Sequence, residues 1–497
     1  IRAFVRNGVV MRVEQNYDHQ TYEDLYGNRG TFAHNPRMCL KGFTFHRRVY
    51  GPYRLKGPLM RKGWKQWMDD GSPELTSDAK RKYKFDSRFL DDMVRVSWDT
   101  AFTYVAKGLI VIGTRYSGEA GARRLREQGY APEMIEMMKG AGVRTFKHRA
   151  GMPILGMMGK HANTRFNNCV LPLLDSWIRK VNPDQAQGGR YWNNYTWHGD
   201  QDPSQPWWNG TQNCDVDLSD MRFTKLNTSW GKNFVENKMP EAHWKLESME
   251  RGARLVVITP EYNPTASRAD YWIPVRPETD GALFLGASKI ILDENYQDID
   301  FIKGFTDMPL LVRTDTLQYL DPHEVLKDYR VPDFTKSYSG RVQGLTQDQV
   351  QRLGGMMVWD LAKGKAVPLH REQVGLHLAQ SGIDPALTGT YRIKLLNGRE
   401  VDVMPIYQLY TIHLQDYDLD TVHQVNRSPK DLIVRWARDC GTVKPAAIHN
   451  GEGVCHYFHM TSMGRAAALV MMLTGNIGKF GTGCHTWSGN YKVGIWQ

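Results

Sequence analysis

One stretch, residues 222–275, restricts the fold more than any other. Phe223–Trp230 reads as a strand that closes on the turn Gly231-Lys232-Asn233. Pro240–Arg251 then reads as a helix, with proline at its start and Gly252 at its stop. Leu255–Thr259 follows as a short continuous apolar strand, buried on both faces. A strand, a crossover helix and a second buried strand imply parallel pairing, since antiparallel neighbours need only a hairpin. Asp280–Leu292 reads as the next helix. A second unit of the same kind occupies 428–483: Ser428 is expected to cap Pro429–Cys440, Pro445–His449 reads as a strand, and a helix runs from about His456 to Leu473. The fold class is therefore α/β, with parallel-sheet units around a cleft. Ligands of such sheets bind beyond the carboxyl ends of the strands.

The rest of the chain is plainer. Residues 2–13 form a predicted hairpin around Asn7-Gly8, and Tyr391–Met404 a second around Asn397-Gly398. A basic, loop-rich stretch runs to about residue 66, Ser97-Trp98-Asp99 opens a helix, and 330–427 is more irregular. The longest apolar runs, Gly108–Ile112 and Ala466–Leu473, fall far short of the ~20 residues of a membrane helix. Six cysteines are scattered with no Cys-x-x-Cys pair, which excludes a disulfide scaffold. The net charge of +11 favours anionic partners. It is dispersed and belongs to no recognisable nucleic-acid module, so no nucleic acid is expected.

Four segments hold residue types that carry chemistry. Cys39-Leu40-Lys41-Gly42 sets a cysteine before a lysine and a run of basic and turn residues; alone, such a cysteine reads as a small buried hydrophobe. Gly188-Gly189-Arg190-Tyr191-Trp192-Asn193 leads into Trp197-His198-Gly199-Asp200-Gln201-Asp202-Pro203, either a functional loop or one packed by its aromatics. Trp230-Gly231-Lys232-Asn233 ends a strand, where glycine admits a close ligand and lysine and backbone N–H groups suit a pyrophosphate. That segment is followed by Val256–Pro260 and then by Asp270-Tyr271-Trp272-Ile273-Pro274-Val275-Arg276-Pro277-Glu278-Thr279-Asp280. Asp270 and Asp280 are candidate acceptors for ring N–H groups, the alternative being helix capping by Thr279 and Asp280. Lastly, Asn450-Gly451-Glu452-Gly453 and Thr474-Gly475-Asn476-Ile477-Gly478 are glycine-rich turns suited to a phosphate. Cys455, His456 and His459 lack a fourth ligand for zinc.

Taken in order, these segments resemble the molybdopterin oxidoreductase family. The branch is the one that holds nitrate reductases, nitrite oxidoreductases, ethylbenzene dehydrogenases and the selenate- and chlorate-type reductases. The nearest resemblance is to the catalytic alpha subunits of exported nitrite oxidoreductases, through Arg165–Leu173, Asn213-Cys214-Asp215 and Val235-Glu236-Asn237-Lys238-Met239. The resemblance implies a bis-molybdopterin guanine dinucleotide bearing molybdenum, and one 4Fe-4S cluster. Asp200 would ligate the molybdenum, with Asp202 as its competitor and His198 as a catalytic neighbour. Cys39 would ligate the cluster, and Lys41 would lie between cluster and pterin. The dinucleotides would be held by Trp230, Gly231, Asn233, Pro260, Asp270, Arg276, Asp280, Gly451, Gly453, His456, Gly475, Asn476 and Gly478. One departure is Thr259-Pro260-Glu261, where many members carry Asp-Pro-Arg.

On this basis the chain divides into a small β-rich iron–sulfur lobe (1–65), an α/β region with the metal-ligand loop (66–220), a parallel dinucleotide-binding unit (221–330), an irregular insert (331–427) and a second pterin-binding segment (428–497). The implied reaction moves an oxygen atom between water and a small oxyanion, nitrite to nitrate, with electrons leaving through iron–sulfur centres. The alternatives within the family are a nitrate, selenate or (per)chlorate reductase or a hydroxylating dehydrogenase. Implied partners are nitrite or nitrate, an iron–sulfur beta subunit and a haem-bearing gamma subunit, in the periplasm or another extracytoplasmic compartment. The chain starts at Ile1 inside a strand and is about half the family length, so it is expected to be a piece lacking the first cluster ligands, the leader and the carboxy-terminal domains.

Overall fold

The computed structural model describes residues 2–14, 39–87, 89–150, 162–193, 218–333, 346–371 and 373–485. The chain divides into two compact units, the first drawing on 2–14 and 40–193, the second on 39 and 218–485.

The first unit opens with the predicted hairpin, β1 (Arg2–Arg6) and β2 (Val9–Glu14). Asn7 and Gly8 both take positive φ, at 49° and 76°, which matches the turn to the twist of the strands. The basic stretch after it is not all loop. Leu40–Val49 is a helix, α1, whose His46, Arg47 and Arg48 fall in its last turn. There they oppose the negative end of the helix dipole, so the run that read as a loop is favourable as a helix end. Tyr50 at its end accepts a hydrogen bond from Val10 N at 3.3 Å, tying helix to hairpin. A two-stranded pair, β3 (Leu59–Arg61) and β4 (Met93–Arg95), brackets α2 (Lys62–Asp69). Ser97 caps α3 (Trp98–Arg115) by accepting from Thr100 N, and Asp99 sits in its first turn. A parallel pair, β5 (Lys147–Ala150) and β6 (Arg190–Asn193), closes the unit around α4 (Leu171–Arg179).

The second unit is built on five parallel strands, β7 (Leu226–Trp230), β8 (Arg254–Thr259), β9 (Tyr271–Pro274), β15 (Ala446–Asn450) and β16 (Gly483–His485), in the order β16-β15-β7-β8-β9. Helix α5 (Met239–Glu250) covers one face, packing Ala242 and Met249 near Leu255 and Val257. Three helices cover the other: α6 (Asp280–Asp293), α7 (Lys430–Thr442) and α8 (Met460–Leu473). Their Phe284, Trp436 and Val470 meet Trp230, Ile258 and Ile448 in the main core. Trp230 and Phe284 meet edge to face at 4.7 Å, and Trp436 Nε1 donates to Thr228 Oγ1 at 2.9 Å, so the buried indole is satisfied. Ser428 does not cap α7. Its hydroxyl donates to Pro274 O at 2.6 Å, pinning that loop to β9, and Pro429 stands at the cap position.

The insert is more regular than its sequence suggests. Its strands β13 (Tyr391–Lys394) and β14 (Glu400–Pro405) join β10 (Leu311–Arg313), which precedes the insert, in an antiparallel sheet in the order β10-β14-β13, with the Asn397-Gly398 hairpin in the expected place. The hairpin of β11 (Gly355–Asp360) and β12 (Lys365–His370) was not anticipated. Its turn lacks Asn-Gly and is held instead by Asp360, whose Oδ1 accepts from Ala362 N at 3.1 Å while its carbonyl accepts from Gly364 N at 2.8 Å. Among the described residues no helix is long and apolar enough to cross a membrane.

Candidate functional site

From β7 the chain moves to β8 and β9 on one side, while β15 and β16 lie on the other. Connections therefore leave the carboxyl ends of β7 and β15 in opposite directions, and a crevice opens between them. A cleft of about 450 Å³ lies there. It is lined by Gly231, Lys232 and Asn233 after β7, Thr259, Pro260, Glu261 and Asn263 after β8, Val275, Pro277 and Asp280 after β9, and Asn450, Gly451, Gly453, Val454 and Tyr457 after β15.

Two glycines bring the strand-end turns into backbone contact. Gly231 has φ +56° and donates to Ile258 O at 2.8 Å; a Cβ there would lie 2.3 Å from Val454 Cγ1. Gly451 donates to Trp230 O at 2.8 Å, and a Cβ on it would lie 2.0 Å from Gly231 O. Only glycine fits either place, and bare backbone is left at the mouth of the cleft.

Asp280 starts α6 and is 2% exposed. Its Oδ1 accepts from Trp230 Nε1 at 2.7 Å, whereas its Oδ2 is buried with no hydrogen-bond partner. Burial pushes this carboxyl above the usual range, against the Trp230 hydrogen bond and its own backbone N–H. A buried acceptor without a donor is costly, so Asp280 is suited to a ligand N–H or to holding a proton itself. Neither Thr279 nor Asp280 caps the helix: Thr279 Oγ1 donates to Arg276 O at 2.7 Å. Behind the cleft, burial holds His449 well below the ordinary histidine range, with Lys245, His485 and Lys232 adding to the effect.

The structure sorts the sequence candidates. Gly231, Asn233, Pro260, Asp280, Gly451 and Gly453 line the cleft, and Trp230 lies just beneath it as the donor to Asp280. Arg276 is exposed between Val275 and Pro277, at the rim. His456 is exposed in a 3₁₀ turn and does not line the cleft, a place taken by the unanticipated Val454 and Tyr457.

Four candidates lie elsewhere for a topological reason. Asp270 precedes β9 and accepts from Leu255 N at 2.7 Å, at the amino ends of β8 and β9. Gly475, Asn476 and Gly478 lie between α8 and β16, on a connection returning to the amino end of the sheet. There Asn476 accepts from Ala446 N at 3.0 Å and donates to Cys440 O at 3.1 Å.

In the first unit Lys41 is exposed on α1. Cys39 is half-buried, and among the described residues no group of three or more His, Cys, Asp or Glu is arranged to hold a metal. His198, Asp200 and Asp202 lie outside the described residues; they follow β6 in the sequence. Sequence reasoning also passed over Glu261, Asn263 and Lys238 as cleft residues. The first two were findable, since residues just past a parallel strand's carboxyl end face the crevice.

The molybdopterin oxidoreductase family model matches residues 54–491 of this chain. The chain is 27% identical over 497 residues to the perchlorate reductase subunit alpha of Dechloromonas aromatica (strain RCB), covering 99% of this chain and 45% of that protein. It is 26% identical over 499 residues to the respiratory nitrate reductase subunit alpha of Haloferax mediterranei, covering 99% and 42%. Against the chlorate reductase subunit alpha of Ideonella dechloratans the identity is 26% over 491 residues, covering 97% and 42%. The chain spans less than half the length of each of these relatives.

Proposed function

The chain belongs to the molybdopterin oxidoreductase family, and from that premise we propose that it forms the cofactor-binding part of a molybdenum enzyme that moves an oxygen atom between water and a small oxyanion. The observation that carries this reading is the cleft itself. It lies at the switch point of a parallel sheet and combines bare backbone at Gly231 and Gly451 with the unpaired Asp280 Oδ2. These features fit a pterin dinucleotide in kind. Glycine turns at strand ends admit a pyrophosphate, and a buried carboxylate accepts from the N–H groups of a pterin or guanine. Gly231, Asn233, Gly451 and Gly453 would hold such a group, with Asp280 fixing its orientation and Trp230 fixing Asp280.

When bound, the cofactor supplies molybdenum redox chemistry and Lewis acidity. The chain supplies placement and field. Asp280 keeps its proton or takes a ligand N–H in a site shielded from water, and Lys232, 5% exposed, sets positive charge beside the anionic ligand. We assign the molybdenum to Asp200 and the 4Fe-4S cluster to Cys39 with ligands supplied elsewhere in the polypeptide. An iron–sulfur partner subunit and an extracytoplasmic site belong to the same proposal.

Two directions are open to such a site. Nitrite oxidation is favoured by the resemblance of Arg165–Leu173 and the segment through Asp200 to nitrite oxidoreductases. Oxyanion reduction is favoured by the relatives named as perchlorate, nitrate and chlorate reductases. Metal analysis and steady-state assays of the full-length enzyme with nitrite, nitrate, chlorate, perchlorate and selenate test the reading. Molybdenum with iron and turnover on at least one oxyanion supports it. A molybdenum-free protein, or a loaded enzyme inert to all five, overturns it. Asp200→Ala in the same enzyme should abolish turnover and alter the molybdenum spectrum, while Asp202→Asn leaves the spectrum nearly intact; the opposite pattern reverses the ligand assignment.

A further inference from the structure

We propose that a second cavity, formed with the insert and separate from the cleft, binds a small amphipathic carboxylate: a compact apolar body the size of one ring, carrying a single anionic head. The cavity measures about 220 Å³ and lies between the β11–β12 hairpin and the helix Ile299–Phe305. Its floor is apolar. Leu310, Val358, Leu369 and Leu378 form a small core cluster of their own, each between 0% and 8% exposed. Phe305 and Val374 also line it, yet they are 62% and 53% exposed, so apolar surface is left uncovered above that floor. A dry cavity of about 150 Å³ with walls of this kind holds a benzene ring. The larger space here takes a ring and a short polar head.

The walls are fixed before any ligand arrives. Leu310 bridges to Val358, and Gly375 N donates to Gly304 O at 2.7 Å, tying the segment after β12 to the helix. Gly375 has φ +53°, and a Cβ on it would lie 2.5 Å from Phe305 Cε1, so only glycine lets the backbone cross that ring. The same helix buries Ile302 in the main core, which anchors the cavity wall to the parallel sheet. The rim supplies the charge. Lys303 is paired with Asp384 at 2.6 Å. Arg371 is exposed on the lining, and among the described residues no acid pairs with it. Asp307 is the one acid among the described lining residues. The register separates it from Arg371: Arg371 follows His370, which pairs with Gly355 at the start of β11, whereas Asp307 precedes Leu310, which bridges to Val358 further along. A carboxylate seated over the apolar floor therefore has one uncommitted partner, the planar guanidinium of Arg371, which matches it with two parallel N–H groups.

The test is calorimetric titration of the full-length enzyme, wild type and Arg371→Gln, with benzoate, benzyl alcohol and acetate, together with a crystal soaked in 4-bromobenzoate. Benzoate should bind saturably with a Kd below about 1 mM. Benzyl alcohol, which keeps the ring and loses the charge, should bind about tenfold more weakly, and acetate, which keeps only the charge, should give no measurable heat. In Arg371→Gln benzoate should fall to the benzyl alcohol affinity, while benzyl alcohol itself is unchanged. That last value also shows that the cavity has survived the substitution, and circular dichroism melts verify the fold. The bromine anomalous peak should lie between Phe305 and Leu369. Absence of saturable benzoate binding, an affinity for benzoate that Arg371→Gln leaves intact, or a bromine peak found only in another part of the molecule each overturns the proposal.

Discussion

Asp280 is nearly buried, and one of its oxygens has no donor in the structure. Burial raises its carboxyl above the ordinary value of 3.8. An acid raised in the folded chain keeps its proton at pH values where the unfolded chain has lost it. Between the unfolded and folded pKa the native state therefore binds more protons, so stability falls as pH rises through that window and is level above it. Asp280→Asn keeps an oxygen for Trp230 and removes the titration. Its urea midpoint relative to wild type should climb as pH increases from about 4 and then become constant; a difference independent of pH would mean that Asp280 is not the titrating group. The glycines make a steric prediction instead. Gly231→Ala combines positive φ with a 2.3 Å approach to Val454, a side chain able to shift. Gly451→Ala meets backbone, Gly231 O, at 2.0 Å. Gly231→Ala should cost roughly 1–3 kcal/mol of unfolding free energy, and Gly451→Ala more, because backbone yields less than a methyl group.

At the scale of elements, the parallel units were legible because Leu255–Thr259 is apolar without alternation and is preceded by a proline-started, glycine-stopped helix. Both Asn-Gly hairpins were legible through their turn chemistry. Helix α1 was not, since its basic residues read as part of a turn-rich stretch and are favourable in a helix only at its carboxyl end. The site was legible in part. Asp270 and Asp280 belong to one motif, yet the four residues of β9 between them span about 13 Å and carry them toward opposite ends of the sheet. Composition cannot make that distinction, but topology can: strand-to-helix turns lie at the carboxyl end and helix-to-strand turns at the amino end. The turn at Gly475-Asn476 is of the second kind, so its glycines and asparagine are structural. Asn476→Ala would orphan Ala446 N and Cys440 O, both inside the fold. It should lower unfolding free energy by roughly 2–4 kcal/mol. Guanosine diphosphate affinity, measured below the unfolding transition, should stay within about twofold. A selective loss of affinity at unchanged stability would return the turn to the ligand site.

For the whole molecule the relevant quantity is charge. A net +11 spread over 497 residues does not mark one partner, but a small oxyanion is steered by the summed field and not by any single contact. The cleft contributes a basic side chain to that field locally, with Lys232 in its wall. If the field funnels substrate, kcat/KM for the oxyanion in the full-length enzyme should fall steadily as ionic strength rises, because salt near the physiological range shortens the reach of exposed charge to about 8 Å. Chemistry at a site shielded from solvent lies inside that length, so kcat should change little. The competing account places the basic excess on a face that meets another subunit. It predicts oxyanion kinetics that are flat with salt together with subunit association that weakens. Both quantities are measured in one salt series with an electrolyte that does not bind molybdenum. A flat kcat/KM across a tenfold range of salt would remove the funnel and assign the charge to assembly; a fall in kcat/KM at constant kcat would place it on the path of the substrate.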